Sequence, residues 1–412
     1  MVMNLYIARR HEKLNEIPWS VEKANKVIDE IVRSALETFQ GHQLWPVHPD
    51  KKETYQVSNP IAGLWTGAAG TIWAILRLQK LNSTLPKYDF VPYLDTLIEK
   101  QPISLAEFHP KLNIPLNAPG YLSGSSGIYL LNWKLTKRQH VLDLLENNIR
   151  QNITNPINEL TWAAPGTMLC AWFLYQETQE EKWRDLFQQS AAYLFSTWQL
   201  DEKFQCYVWI QAMRGVQAIH LGAIHGFAGN ILPLLKGIKL LSENQSRQLI
   251  ERAENTLMVT AESYKNLANW LPCLGKPRPG RDQPMVQLCH GAPGIIIATG
   301  DLWSLSGEGF KNLLCQAGNL IWQAGPLKKP WGLCHGTAGN GYAFLKLFEL
   351  TGDEVWLSRA KQFAMHAIYQ YENMRNHYGC IRTEVGGGDL GLALYLQDCI
   401  ARQTRFPMLD YF

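Results

Sequence analysis

The sequence lacks the features that would place the chain on nucleic acid, in a membrane or outside the cell. Only 18% of the 412 residues are charged, the formal net charge is +3, and lysine and arginine form no block typical of nucleic-acid binding. No run of about 18 apolar residues predicts a transmembrane helix. Residues 1–17 are mixed and charged, without the apolar stretch of a secretory signal, so we expect a cytoplasmic protein.

Disulfide bonds and disorder are equally unexpected. The eight cysteines are widely spaced in a long chain without a signal peptide, which favours thiols in a reducing compartment. Apolar residues make up 46% of the chain, which excludes intrinsic disorder. The length leaves two or three domains, or one large closed architecture.

Glycine and tryptophan are abundant, with 32 and 15 residues, and many of the glycines belong to an internal repeat. A turn of the form G-x-x-G, followed by an apolar helix, occurs seven times, with alanine replacing the first glycine in one copy. Successive turns lie about 39 to 65 residues apart, a loose version of the period of helical-hairpin repeats. The first turn positions are Gly67, Gly124, Ala163, Gly226, Gly291, Gly336 and Gly388.

The two kinds of helix in each repeat predict the fold. The glycine-led helices are apolar on nearly all sides and should be buried. The segments between them, such as residues 183–200, 242–270 and 353–372, have the one-sided pattern of outer helices, and strand signals are scarce. We therefore predict an all-α protein, an α/α toroid of seven inner and seven outer helices. It should form a single domain over residues 1–412, with residues 1–55 as an N-terminal helical segment packed on the ring.

Three of the seven turns carry histidine, or cysteine and histidine, directly before the first glycine. Equivalent repeat positions face the same rim of a ring, so these side chains should gather although they are distant in the chain. Two thiolates with imidazole select zinc, and three protein ligands leave the fourth position open, as in catalytic sites. Cys289, Cys334 and one histidine supply that number, and spacing alone does not decide which histidine. The residues concerned are His225, Cys289, His290, Cys334 and His335.

Two of these motifs resemble those of the lanthionine synthetase C-like family. They are CHGAPG at residues 289–294 and WGLCHGTAGN at residues 331–340, and the seven repeats extend the resemblance over nearly the whole chain. The stretch at residues 328–350 is most similar to the eukaryotic-type members. The resemblance implies a double seven-helix toroid, with Cys289, Cys334 and His335 as zinc ligands and His225 as the active-site histidine.

The resemblance also implies a reaction, the Michael addition of a thiol to dehydroalanine or dehydrobutyrine, giving a thioether. A zinc-bound thiol is a thiolate at neutral pH, and a histidine suits the protonation of the α-carbon that follows. We expect His225 in that role, assisted by His290. The family's peptide cyclases pair this histidine with an aspartate from an earlier repeat, but no aspartate near Gly124 or Ala163 matches.

That departure moves the prediction towards members that add glutathione to dehydro residues of other proteins. In those members a lysine and an arginine contact glutathione, and here Lys329 and Arg382 match them, the second with one inserted residue. Cationic side chains at these positions can pair with the two carboxylates of glutathione. The expected partners are therefore a dehydroamino-acid-containing peptide or protein and, as the thiol, a peptide cysteine or glutathione.

Two other functions are compatible with parts of the pattern. A non-catalytic zinc- and glutathione-binding scaffold, or partner-binding protein, would use the same ligands without turnover. A glycosidase on a related toroid would need two acidic residues converging on the rim. Only Asp389 occupies a repeat position, which disfavours the glycosidase.

Overall fold

The protein is described by a computed structural model that covers residues 5–55, 57–108, 118–213, 215–275 and 282–412. Within these ranges the chain forms fifteen α-helices and seven short strands. The helices are α1 (Val21–Glu37), α2 (Pro49–Tyr55), α3 (Ala68–Leu81), α4 (Leu94–Phe108), α5 (Ser126–Thr136), α6 (Gln139–Asn152), α7 (Ala164–Thr178), α8 (Glu181–Thr197), α9 (Phe227–Lys236), α10 (Glu243–Thr260), α11 (Ala292–Thr299), α12 (Glu308–Ala324), α13 (Thr337–Thr351), α14 (Glu354–Tyr378) and α15 (Asp389–Ala401).

The predicted α/α toroid is confirmed. The seven odd-numbered helices from α3 to α15 are the glycine-led helices, each contacts the next, and α15 returns to α3 to close the inner ring. The even-numbered helices from α4 to α14 supply six outer helices. The seventh is α1, which packs against α14 and α15 and thus comes from the N-terminal segment.

Burial explains why the two kinds of helix take different places. Every residue of α11 is buried, as its continuous apolar sequence requires. The outer helix α1 instead buries one stripe, at Ala24, Val27, Ile28 and Ile31, and exposes its other face. These positions recur at intervals of three and four residues, the spacing of neighbours on one helix face.

The prediction of one outer helix over residues 242–270 was wrong at its C-terminal end. Helix α10 ends at Thr260, and an antiparallel hairpin of β5 (Ala261–Tyr264) and β6 (Leu267–Trp270) follows. Lys265 turns the hairpin in the left-handed region at φ 56°, and all four residues of β6 are buried, beside α12. Tertiary packing here outweighs a helical pattern.

The other strands are β1 (Gln199–Asp201), β2 (Cys206–Val208), β3 (Gln211–Met213), β4 (Val216–His220) and β7 (Cys273–Leu274).

Backbone hydrogen bonds between neighbouring turns hold the N-terminal ends of the inner helices on one face of the ring. The Cys334 N–H donates to the Gly386 carbonyl at 2.7 Å, and the Gly386 N–H donates to the Trp65 carbonyl at 2.8 Å. Gly291 shows how close the backbones come, because a Cβ there would lie 1.9 Å from the Met285 oxygen, and its φ is +98°. We call this surface the turn face.

The described part of the chain was also searched for membrane-spanning helices and disulfide bonds. No helix there combines the length and apolar character needed to cross a membrane. None of the eight cysteines, all of which lie within the described ranges, forms a disulfide bond.

Candidate metal and acid–base site

The fifth and sixth turns bring two thiols and one imidazole together on the turn face. The ligand atoms of Cys289, Cys334 and His335 all lie within 4.8 Å of one another. Cys289 is buried, Cys334 is partly exposed and His335 is exposed, so the group opens to solvent on one side. We call these three residues the thiol–imidazole cluster.

One polar contact joins the two turns to each other, and a second joins the fifth turn to β6. The side-chain amide of Asn340, in the first turn of α13, donates to the Val286 carbonyl at 3.0 Å. The Ala292 N–H, at the start of α11, donates to Asn269 Oδ1 at 2.8 Å. Each turn is thus anchored through the start of the helix that follows it, and the cysteine side chains are brought face to face.

The two thiols differ in acidity because they share a hydrogen bond. Burial opposes ionisation of Cys289, but the Cys334 thiol and the imidazoles of His335 and His290 hold the pKa of Cys289 well below its ordinary value. The same hydrogen bond, together with burial, raises the pKa of Cys334 well above its usual range. A thiolate and a thiol side by side form a donor set that a divalent cation would ionise fully.

Beside the cluster lies a histidine–carboxylate pair that joins the third and fourth turns. His225 Nδ1 is 2.8 Å from Glu159 Oε2, and the other oxygen of Glu159 accepts the Trp162 N–H at 2.7 Å. The Glu159 side chain is fully buried, whereas 31% of the His225 side chain is exposed. A buried carboxylate at Nδ1 orients the ring and leaves Nε2 as the nitrogen for proton transfer.

Glu159 supplies an acidic partner for His225 at a place where the sequence offers no matching aspartate. It precedes the turn position Ala163 by four residues, and it is one methylene longer than the aspartate that the comparison with peptide cyclases led us to seek. The sequence signal was a single acidic residue in an otherwise uncharged stretch before a turn.

His290, the other predicted catalytic histidine, lies inside the site rather than at its mouth. Only 1% of His290 is exposed, and its ring centroid is 6.0 Å from that of His225 and 6.0 Å from that of His220. It is absent from the group of ligand atoms that converge, so the geometry favours His335 over His290 as the third donor.

A cleft of about 440 Å³ opens beside the cluster and is bordered by cations. The predicted residue Lys329 lines it together with His335, as does Lys328. Arg9 and Arg10 also line it, because the N-terminal segment pairs with residues 325–328, with the Lys328 N–H donating to the Arg10 carbonyl at 2.9 Å. Local sequence gave no signal for this pairing across more than 300 residues. We call this space the cationic cleft.

Arg382, the other residue predicted to contact glutathione, lies in a network of charged side chains. Its guanidinium Nε lies 2.7 Å from Glu384 and its Nη1 lies 2.8 Å from Asp50 of α2. Glu384 also pairs with Lys51, and the four side chains form a network of two cations and two carboxylates in which Lys51 and Glu384 are buried. Arg382 does not line the cationic cleft as Lys329 does, and its contact with glutathione stays a prediction.

Comparison with known proteins identifies the family. The family model described as lanthionine synthetase C-like protein matches residues 62–410. The chain belongs to this family. It is 30% identical over 217 residues to glutathione S-transferase LANCL1 of Danio rerio, an alignment that covers 50% of each protein. It is 36% identical over 149 residues to the LanC-like protein GCL1 of Arabidopsis thaliana, covering 35% of this chain and 32% of that protein.

These relatives confirm the predicted resemblance to the eukaryotic-type members, although the matches span only half and about a third of their lengths. Among solved structures, nisin cyclase superposes with a TM-score of 0.61 over 94% of this chain and 98% of that chain. At 17% sequence identity the superposition supports the fold alone.

Proposed function

We propose that the protein catalyses zinc-dependent thioether formation, adding a thiol to dehydroalanine or dehydrobutyrine in a peptide or protein. The observation that carries this proposal is the meeting of two units from different repeats on the turn face. One is the thiol–imidazole cluster, and the other is the His225–Glu159 pair. The first suits activation of a thiol and the second suits proton transfer.

The donor set fits zinc. Two sulfurs and one imidazole nitrogen are soft and borderline ligands, and three protein donors leave a fourth tetrahedral position for a substrate. In tetrahedral zinc sites ligand atoms lie about 3.5–4 Å apart, so groups already within 4.8 Å need only small side-chain movements. Bound by these residues, zinc would keep the incoming thiol as a thiolate at neutral pH.

The cationic side chains that line the cleft would bind and orient the thiol. Arg9, Arg10, Lys328 and Lys329 place four cationic side chains around one cleft that also reaches His335. A thiol that carries two carboxylates would find opposite charges here, whereas the cysteine of a neutral peptide would not. The cationic cleft therefore supports glutathione over a peptide cysteine as the thiol.

The His225–Glu159 pair would complete the reaction. When the sulfur forms a bond to the β-carbon, the electron pair of the C=C bond moves into an enolate, and the α-carbon then takes a proton. His225 would take up at Nε2 the proton that the thiol loses and then supply a proton to the α-carbon, while Glu159 at Nδ1 stabilises the imidazolium until transfer. One proton leaves the thiol and one reaches the α-carbon, so the addition is balanced without another reagent.

The localisation and partners follow as parts of the same proposal. We propose a cytoplasmic protein, because a thiol–imidazole cluster and eight cysteines without a disulfide suit a reducing compartment. Its macromolecular partner would be the peptide or protein that carries the dehydro residue, formed by another enzyme.

The test uses the zinc-loaded full chain and a synthetic peptide that contains dehydroalanine but no cysteine. With glutathione present, we expect mass spectrometry to show one glutathione added per peptide, faster than without protein. A second peptide with both dehydroalanine and cysteine should cyclise more slowly than glutathione adds. Cys334→Ser should abolish the adduct, whereas Cys399→Ser, at a buried cysteine of α15, should not.

The outcomes separate the enzyme from the alternative. If neither peptide reacts above the spontaneous rate while glutathione still binds to the zinc-loaded protein, the catalytic proposal is wrong and the binding scaffold stands. If only the cysteine-containing peptide reacts, the thiol is a peptide cysteine and the role given to the cationic cleft is wrong.

A further inference from the structure

One repeat position, four residues before the first turn position, has a common orientation around the ring. It is glycine in four repeats and a glutamate or glutamine in the other three. The seven residues are Gly63, Gly120, Glu159, Gly222, Gln287, Gly332 and Glu384.

The glycines show that this position faces the following repeat. A Cβ on Gly222 would lie 2.0 Å from the Cys289 oxygen, and a Cβ on Gly332 would lie 2.5 Å from the Gly387 carbonyl carbon. Gly120 meets the Thr161 oxygen in the same way, at 2.5 Å. In each case the neighbour belongs to the next turn, so a side chain at this position would enter the gap between two turns.

Two of the three longer residues place a carboxylate in such a gap, against a cationic or titratable partner. Glu159, in the third repeat, contacts His225 of the fourth turn. Glu384, in the seventh repeat, contacts Lys51, which precedes the first turn and donates to the Thr66 carbonyl within it. These two glutamates therefore each hold a cationic or titratable side chain across the gap.

The third is Gln287, in the gap between the fifth and sixth turns, where the thiol–imidazole cluster lies; its partner Cys289 belongs to the same turn as Gln287 and not to the next one. It is 6% exposed, its Nε2 donates to Cys289 Sγ at 3.0 Å, and it lines the cationic cleft together with His335. A carboxylate here would add negative charge beside two thiolates. A neutral amide instead offers an N–H donor, which stabilises a thiolate without changing the charge of the site.

We propose that Gln287 is a positioning residue of the metal site. Its amide N–H fixes the position of the Cys289 sulfur and reduces the negative charge on that sulfur. This inference rests on the proposed function, since it supposes that the cluster binds a metal. Partners that hydrogen-bond to metal ligands fix their orientation and tune their donor strength.

The test uses Co²⁺, which reports thiolate ligation through its charge-transfer absorption. Gln287→Met keeps an unbranched side chain of similar length and removes the donor, and Gln287→Glu keeps the shape but replaces the N–H by an oxygen. The matched control is Gln79→Met, because Gln79 is a buried glutamine of α3 whose amide donates to the Pro86 carbonyl. Circular dichroism of each variant reports whether it folds.

We expect Gln287→Met to shift the sulfur-to-cobalt band to lower energy and to weaken Co²⁺ binding about 10- to 100-fold. Gln287→Glu should weaken binding at least as much, and Gln79→Met should leave both the spectrum and the affinity unchanged. If Gln287→Met and Gln287→Glu both match the wild type, the inference is wrong. If the wild type itself shows no thiolate band with Co²⁺, the proposed metal site is wrong instead.

Discussion

The two faces of the ring both concentrate polar groups, but they satisfy them in different ways. On the face opposite the turns, Lys236 at the end of α9 lies 2.7 Å from Asp301 and 2.5 Å from Asp410. Lys346 joins this network through Asp301 and Glu349. On the turn face, thiols and imidazoles meet beside a cleft lined by cations.

We interpret this difference as one between charges that stabilise the fold and side chains of the proposed metal site. Burial opposes protonation of Lys236, but Asp410 and Asp301 outweigh it and hold the lysine pKa above its ordinary value, so the network is stable as it stands. The charges of the thiol–imidazole cluster are not balanced in this way. The pKa of the Cys289 thiol is lowered, whereas the pKa of the Cys334 thiol is raised. A cluster of metal-donor side chains is a candidate binding site, whereas charged side chains that already pair with one another stabilise the fold.

Among substitutions on the two faces, we expect the largest effect from Glu159→Gln on the turn face. Glu159→Gln keeps the size of the side chain but removes the carboxylate that orients and stabilises protonated His225. We expect kcat for the glutathione adduct to fall about 10²- to 10⁴-fold, with zinc content unchanged. Glu262→Gln, on β5, is the control and should keep wild-type activity. An active Glu159→Gln enzyme would remove the acid–base pair from the account.

A smaller effect, and one of another kind, is expected on the opposite face. Lys236→Met removes the cation that the partly exposed Asp301 and Asp410 share, so urea unfolding should show a loss of about 1 to 3 kcal/mol in stability. Zinc affinity and adduct rate should stay as in the wild type. Lys311→Met, which removes an exposed pair with Glu308, should cost under about 1 kcal/mol. A change in zinc affinity for Lys236→Met would show that the two faces are coupled.

Most of the ring could be predicted from the sequence because the same pattern, a turn followed by an apolar helix, occurs seven times. Each G-x-x-G turn starts a helix that is apolar on all sides, and such helices can only be inner helices. The position of histidine and cysteine relative to these turns also placed Cys289 and Cys334 on one rim. What a repeat argument cannot give is the contact between positions that differ from copy to copy.

Glu159, the hairpin after α10 and the N-terminal arginines illustrate that limit. Glu159 stands at a position that is glycine in four repeats, so its pairing with His225 appears only when the turns are assembled. Residues 261–270 keep a helical pattern yet pair as strands because packing beside α12 decides. Arg9 and Arg10 reach the cleft through a backbone pairing that no local pattern records.

X-ray absorption at the zinc edge reports which atoms surround the metal. For the zinc-loaded protein we predict two sulfur atoms at about 2.3 Å and nitrogen or oxygen at about 2.0 Å. Saturating glutathione should raise the sulfur count from two to three, because the thiol takes the open position. Zinc surrounded by nitrogen and oxygen alone would rule out the thiol–imidazole cluster as the metal site, and a sulfur count that stays at two with glutathione would rule out binding of its thiol to zinc.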